Sequence, residues 1–166
     1  MGITQRIDSL DVLMPELVAM AHLTIMDARA QGLNVAIFET LRSDARQEEL
    51  YNQGRLTSGA IVTNARAGAS WHNYGLAFDV AFLGMPIVSG KIAWTWTGDW
   101  KLVGQIGMKH GLTWLGAPGS AFPEAPHFQL TCGMTLNLAR RLRSSGGLPS
   151  VWNEVRQRLQ LPKGVL

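Results

Sequence analysis

Two histidines and two carboxylates stand out because their spacing could gather them around one cation. The stretch "SWHNYGLAFDVAFL", residues 70–83, sets His72 seven positions ahead of Asp79 among small and apolar residues. Asp79 falls in the middle of what reads as a buried strand, and an uncompensated buried carboxylate costs several kcal/mol or more. A positive group must sit against it, an arginine or a metal ion. A period of two puts Leu76, Phe78, Val80 and Phe82 on a core face and Ala77, Asp79 and Ala81 on the other. The alanines leave room beside the carboxylate, and Gly75 lets the chain turn so that His72 swings back over it. Neutral imidazole and carboxylate are good zinc ligands.

A third ligand is offered by "FPEAPHFQL", residues 122–130. Phe128 and Leu130 alternate with His127 and Gln129, so His127 points away from the core. Three protein ligands leave the fourth position of zinc open to water, as in catalytic sites. Glu124, restrained by Pro123 and Pro126, is placed to take the proton of that water, whose pKa zinc lowers to about 7. His72, Asp79 and His127 are thus the expected metal ligands and Glu124 the expected base.

The elements that must hold these residues alternate between helix and strand. Pro15 suits the first turn of a helix that Gly32 stops, with Leu17, Met20, Ala21 and Ile25 at helical spacing. "LNVAIFET" reads as a strand, and Ser43 caps a short helix, "DARQEELYNQ", ended by Gly54. "TSGAIVTNARAGAS" reads as loop, "LAFDVAFL" as strand, and Gly84 to Trp96 as a hairpin or excursion. "GDWKLVGQIGMKHG" predicts a helix closed by Lys109, His110 and Gly111. "LTWL" and "HFQL" are short strands, and two helices finish the chain.

Four pieces, "LRSDARQEELYNQGR", "VTNARAGASWHNYGLAFDV", "GDWKLVGQIGMKHGLTW" and "PEAPHFQL", stand in an order known elsewhere. Over roughly residues 15–130 the chain resembles the zinc D-Ala-D-Ala carboxypeptidase and L-alanyl-D-glutamate peptidase family, which includes many phage endolysins. Ser70, His72, Gly75, Ala77 and Asp79 meet its Ser-x-His-x-x-Gly-x-Ala-x-Asp pattern. The resemblance implies an α+β fold of the hedgehog/DD-peptidase kind, a small antiparallel sheet carrying the zinc with helices packed on it. It also implies that Arg42 reaches the active site, binding a substrate carbonyl or carboxylate and stabilising the developing oxyanion. Ser70 is implied as a further substrate contact. Gln47, Tyr51, Gly54 and Arg55 match the helix and turn after Arg42 and read as structural. Many relatives carry a Trp-Gly-Gly run and a further tryptophan and aspartate before the last histidine. Here the run is "WLGAPGSAFPEAPH", with Glu124 in the acidic position.

The expected function is a zinc-dependent peptidoglycan peptidase of the endolysin type. It hydrolyses a stem-peptide amide bond, the L-alanyl-D-glutamate bond first. A D-alanyl-D-alanine carboxypeptidase with the same metal chemistry is the first rival, and a non-catalytic zinc-containing wall-binding module the second.

Composition bounds the rest. With 166 residues, 46% of them hydrophobic and 16% charged, the chain can bury a core. One peptidase domain over 1–166 is expected, its catalytic core at about 15–130 and a basic helical extension at 134–166. The single cysteine, Cys132, excludes an internal disulfide framework and reads as an inert thiol. "MGITQRIDSLDVLMPEL" does not read as a secretory signal, and "LVAMAHLTIM" is too short to span a bilayer. A monomer held in the host cytoplasm until release to the cell wall is expected, without nucleic acid or membrane insertion. The whole chain carries +3, yet Arg140, Arg141, Arg143, Arg156, Arg158 and Lys163 face only Glu154 in the tail. Those arginines are expected to point outward, available to an anionic envelope surface. His22 and His110 read as ordinary helix residues, and Trp94, Trp96 and Trp100 as core and rim packing with a glycan groove as the alternative.

Overall fold

The computed structural model describes residues 4–88, 91–120 and 124–160. Helix α1 (Pro15–Ala30) opens on its proline, and Gly32 at φ +80° closes it one residue past the Gln31 cap. Strand β1 (Val35–Glu39) leads to α2 (Asp44–Asn52), whose cap Ser43 accepts the Arg46 amide at 3.0 Å. A long loop follows, then a 3-10 turn over Trp71–Tyr74. Strands β2 (Ala77–Val88) and β3 (Lys91–Thr95) make the hairpin, whose residues 89 and 90 lie outside the described ones. Helix α3 (Trp100–Lys109) is capped by His110, and β4 (Thr113–Trp114) and β5 (His127–Gln129) are the short strands. Helix α4 (Leu136–Arg158) is two helical stretches joined at Gly146 and Gly147, where the backbone angles are not helical.

All strand pairs are antiparallel, in the order β1-β2-β5-β4 with β3 also on β2, so the fold is the expected α+β. Phe78, Val80 and Phe82 are buried, together with Phe128, against Leu17, Ala21 and Ile25 of α1 and Val103 and Ile106 of α3. Burying side chains of this size stabilises by roughly 1.5–3 kcal/mol each, and it makes β2 the rigid axis of the molecule. The opposite face of the same strand carries Asp79, paired in register with Glu39 of β1 and His127 of β5. Core on one side and chemistry on the other follow from the two-residue period. Gly75, at φ +64° with Val12 O only 3.1 Å from where a Cβ would stand, makes the turn that returns the chain from His72 into β2.

The arginines of the tail differ from expectation. Arg143 pairs with both Asp44 oxygens at 2.9 and 3.0 Å, and Arg156 with both Glu16 oxygens at 2.5 and 3.1 Å. Arg158 holds Glu154 at 2.8 Å, and Arg140 Nε donates to Gly68 O at 3.0 Å. The tail folds back over the first turns of α1 and α2, where an acidic residue complements the helix dipole and then takes an arginine. Val151 and Val155 are buried, and Trp152 Nε1 donates to Tyr74 O at 2.8 Å. Most of the arginines tie the tail down instead of forming a free basic face. Among the described residues no helix is long and apolar enough to cross a membrane.

Candidate active site

His72, Asp79 and His127 converge, all three buried. His72 Nε2 lies 3.3 Å from Asp79 Oδ1, His127 Nδ1 lies 3.2 Å from the same oxygen, and the two nitrogens are 3.2 Å apart. The three atoms form a nearly equilateral triangle. Ligand atoms about 2.0–2.2 Å from a tetrahedral divalent ion sit roughly 3.3 Å from one another, so the triangle has the size such an ion requires.

The outer hydrogen bonds of the two rings decide what fills the triangle. His72 Nδ1 lies 2.6 Å from Thr40 O, an acceptor only, so that nitrogen carries the proton and donates it. His127 Nε2 donates in the same way to Gln129 Oε1 at 3.1 Å. With those protons committed outward, Nε2 of His72, Nδ1 of His127 and Oδ1 of Asp79 all present lone pairs to one another. Three acceptors at this spacing repel unless a cation sits among them, whereas ordinary hydrogen-bonded histidines would direct a proton inward. Outward anchoring of ligand imidazoles is the usual second layer of a metal site. His72, Asp79 and His127 are a metal-binding triad.

Asp79 is compensated from both sides. Its Oδ1 faces the histidines, while Oδ2 accepts from Arg42 Nη2. The question raised by the buried carboxylate therefore has both answers: an arginine on one oxygen and a metal-sized triangle on the other. Arg42 Nε also donates to Glu39 Oε2 at 2.8 Å, and Arg46 Nε reaches Glu39 Oε1 at 3.2 Å. Glu39 and Asp79 are neighbours across the β1–β2 pairing, where two carboxylates would repel without the guanidinium bridging them. A bulge between Ile37 and Glu39 sets that register. Burial would raise the Asp79 pKa, but the positive charge of Arg42, whose guanidinium donates to Oδ2, works against it, and the group is held well below the carboxylate range. Burial, with Arg42 adding to it, lowers the His72 pKa, so the ring stays neutral as a ligand must.

Glu124 stands outside the triangle. Its Oε2 is 3.9 Å from His127 Nδ1, and its side chain is 47% exposed, so it looks onto the triad from the solvent side. The turn before β5 holds it: the Glu124 amide donates to Leu115 O at 3.3 Å, and the His127 amide to Glu124 O at 3.1 Å. The restraint expected from Pro123 lies outside the described residues. Ser70 caps the Trp71–Tyr74 turn, and its hydroxyl accepts the His72 amide at 3.4 Å, so it positions a ligand as well as lining the cleft.

Two cavities, about 700 and 460 Å³, meet over the triad and share Arg42, Val62, Thr63, Glu124 and His127. One arm runs past Asn64, Ser70 and Gln129, and the other past Leu50, Phe38 and Trp96. The loop forming their common wall is pinned to α2. Arg55 donates to Tyr51 O, Thr63 O and Asn64 Oδ1 at 2.6, 3.0 and 2.7 Å, and Gln47 Nε2 donates to Ala65 O at 2.8 Å. Gly54, at φ +75°, has the Ile61 amide nitrogen only 2.6 Å from where a Cβ would stand. Gly54→Ala is expected to lower the unfolding free energy by roughly 1–3 kcal/mol, read by urea denaturation. It should also raise KM by displacing Val62 and Thr63, with metal stoichiometry unchanged.

Three other sequence candidates stay away from the site. Cys132 is half-buried with its thiol pKa pushed up by burial, His22 is exposed, and His110 pairs with Asp27 at 2.8 Å. Three contributors were not singled out in the sequence: Glu39, Thr40 and Gln129. Gln129 shares a strand face with His127, a signal that the period of two carries. Thr40 acts through its carbonyl, which its side chain does not advertise, and Glu39 acts only because β1 lies beside β2.

A buried His-Asp-His triad with the Glu124 carboxylate beside it, at the floor of a cleft on an antiparallel sheet, has the composition of a metal centre that can activate water. The family model described as VanY, D-alanyl-D-alanine carboxypeptidase, matches residues 12–115, and the chain belongs to that family. The match includes His72 and Asp79 and stops short of Glu124 and His127, which the fold brings in. The peptidoglycan L-alanyl-D-glutamate endopeptidase CwlK of Bacillus subtilis (strain 168) is 39% identical over 111 residues, 62% of this chain and 64% of that protein. The chain thus matches just under two thirds of that relative's length. The crystal structure of the Serratia marcescens L-Ala D-Glu endopeptidase ChiX superposes with a TM-score of 0.51 at 26% identity, covering 78% of this chain and 89% of that one.

Proposed function

We propose that the chain is a zinc-dependent peptidoglycan peptidase that hydrolyses the L-alanyl-D-glutamate bond of the stem peptide. The triangle of inward lone pairs carries this reading, because only a cation makes it stable. Two imidazoles and one carboxylate favour zinc among the available divalent ions. Zinc held there would supply Lewis-acid polarisation of the amide carbonyl and a lowered water pKa.

The protein's own groups do the rest. Glu124 takes a proton from the attacking water and returns it to the departing amine. Arg42 holds Asp79 through Nη2 and leaves Nη1, whose contact to Gln47 Oε1 is long at 3.5 Å, as the donor for a substrate oxygen. Ser70 supplies a polar contact in the larger arm.

The cleft continues on both sides of the triad, which suits cleavage within a chain. A carboxypeptidase instead needs a pocket that ends on a terminal carboxylate. The names of CwlK and ChiX point to the same bond, while the family description keeps D-alanyl-D-alanine trimming as the second reading. Digestion of purified sacculi, with the new termini identified by mass spectrometry, tests it. New N-terminal D-glutamate is expected, and release of free D-alanine alone would favour the second reading. An endolysin role, with the chain kept in the host cytoplasm until the membrane opens, rests on the resemblance to phage enzymes. Clearing of permeabilised cells by the same preparation tests it.

A further inference from the structure

The smaller arm of the cleft ends on an aromatic wall that the peptidase chemistry does not use. Trp96 is 51% exposed, yet it is held in place. Its ring meets Phe38 edge-on at 4.9 Å between centroids, and its carbonyl accepts Trp100 Nε1 at 2.9 Å. Phe38 is fixed in turn by Trp94, at 5.3 Å and 86°, and by the Arg6 guanidinium 4.3 Å over its face. Phe38 and Trp96 line the same cavity as Asp79, His127 and Glu124. An exposed indole packed edge-on against Phe38, in a cleft continuous with the reacting centre, is a surface suited to a flat apolar partner.

We infer that Phe38 and Trp96 form a sugar-binding subsite that takes the glycan ring joined to the stem peptide, which sets the direction in which substrate lies. The inference rests on the peptidoglycan reading above. In peptidoglycan the L-alanine nitrogen is acylated by the lactyl group of N-acetylmuramic acid, so a sugar stands one amide unit from the bond to be cut. One face of a pyranose ring is a patch of C–H groups, and burying it on an indole removes apolar surface from water on both partners. The other arm sets the amides of Asn64 and Gln129 and the Ser70 hydroxyl among Ile61, Trp71, Leu115 and Leu136. That lining suits the D-glutamate carboxylate and the residues beyond it. The sugar therefore lies towards Trp96 and the rest of the stem towards Ser70.

Binding can be separated from cleavage by working in a Glu124→Gln background, where substrate persists uncut. Two ligands are titrated by calorimetry: N-acetylmuramyl-L-alanyl-γ-D-glutamyl-diaminopimelate, and the same tripeptide without the sugar. Adding Trp96→Ala should weaken the sugar-bearing ligand roughly tenfold and leave the free tripeptide within about twofold, and Trp96→Phe should restore most of the loss. Equal loss for both ligands would make Trp96 a packing residue, and no loss for either would remove the subsite; both outcomes overturn the inference. The sugar dependence is read from dissociation constants alone. Failure of the Glu124-competent protein to cut either ligand would therefore count against the peptidase reading and not against the subsite.

Discussion

Glu124→Gln is expected to retain one equivalent of zinc and to lose a factor of roughly 10²–10⁴ in hydrolysis rate. Zinc retention is expected because the carboxylate lies outside the ligand triangle, 3.9 Å from His127 Nδ1 and about half exposed to solvent. The rate falls because the attacking water loses its proton acceptor and the leaving amine its donor. The amide is close in shape to the carboxylate, so the turn that carries it, fixed by the Leu115 and His127 backbone bonds, is left intact. Metal analysis and single-turnover kinetics on the same sample check both halves. A variant that binds no zinc would place Glu124 among the ligands, and one that cuts at the normal rate would move the base elsewhere.

Removal of the metal has the second large effect. Without a cation the three inward acceptors must take up a proton or water, and Asp79 keeps only Arg42 as a direct positive partner. Chelation is expected to abolish hydrolysis and lower Tm by roughly 10 °C. That figure follows from about 4 kcal/mol of linkage at a thousandfold excess over Kd and roughly 2–4 °C per kcal/mol for a domain of this size. Added zinc should restore both. His127→Ala should behave as the chelated protein does and fail to respond to zinc at the same concentration. Hydrolysis at full rate by protein shown to be metal-free would overturn the zinc assignment.

Local features were legible because their causes are local. Pro15, Ser43, Gly32 and Gly54 mark helix ends through backbone chemistry that acts within a few residues, and the structure places the boundaries there. The alternation along residues 76–82 separates a core face from a chemical face for the same reason. The arginines of the tail show the opposite case. Arg143 finds Asp44 across 99 positions and Arg156 finds Glu16 across 140, so their charges looked free until the chain closed on itself. Trp96 also needed the fold, since its exposure beside the cleft depends on how β3 leads into α3.

For the site itself, residue type and order pointed to the three residues that converge, to Glu124 as the expected base and to the need for a positive group at Asp79. A buried carboxylate on a strand cannot stand unpaired, and few side chains bind a metal. Only the tertiary structure decided that both an arginine and a metal-sized triangle meet that carboxylate. Strand pairing sets Glu39 and His127 on either side of Asp79, and the Thr40 carbonyl and Gln129 amide turn the imidazole protons outward. Proton direction depends on which acceptor lies behind each ring. That is a matter of distances between strands, and no spacing along the chain encodes it.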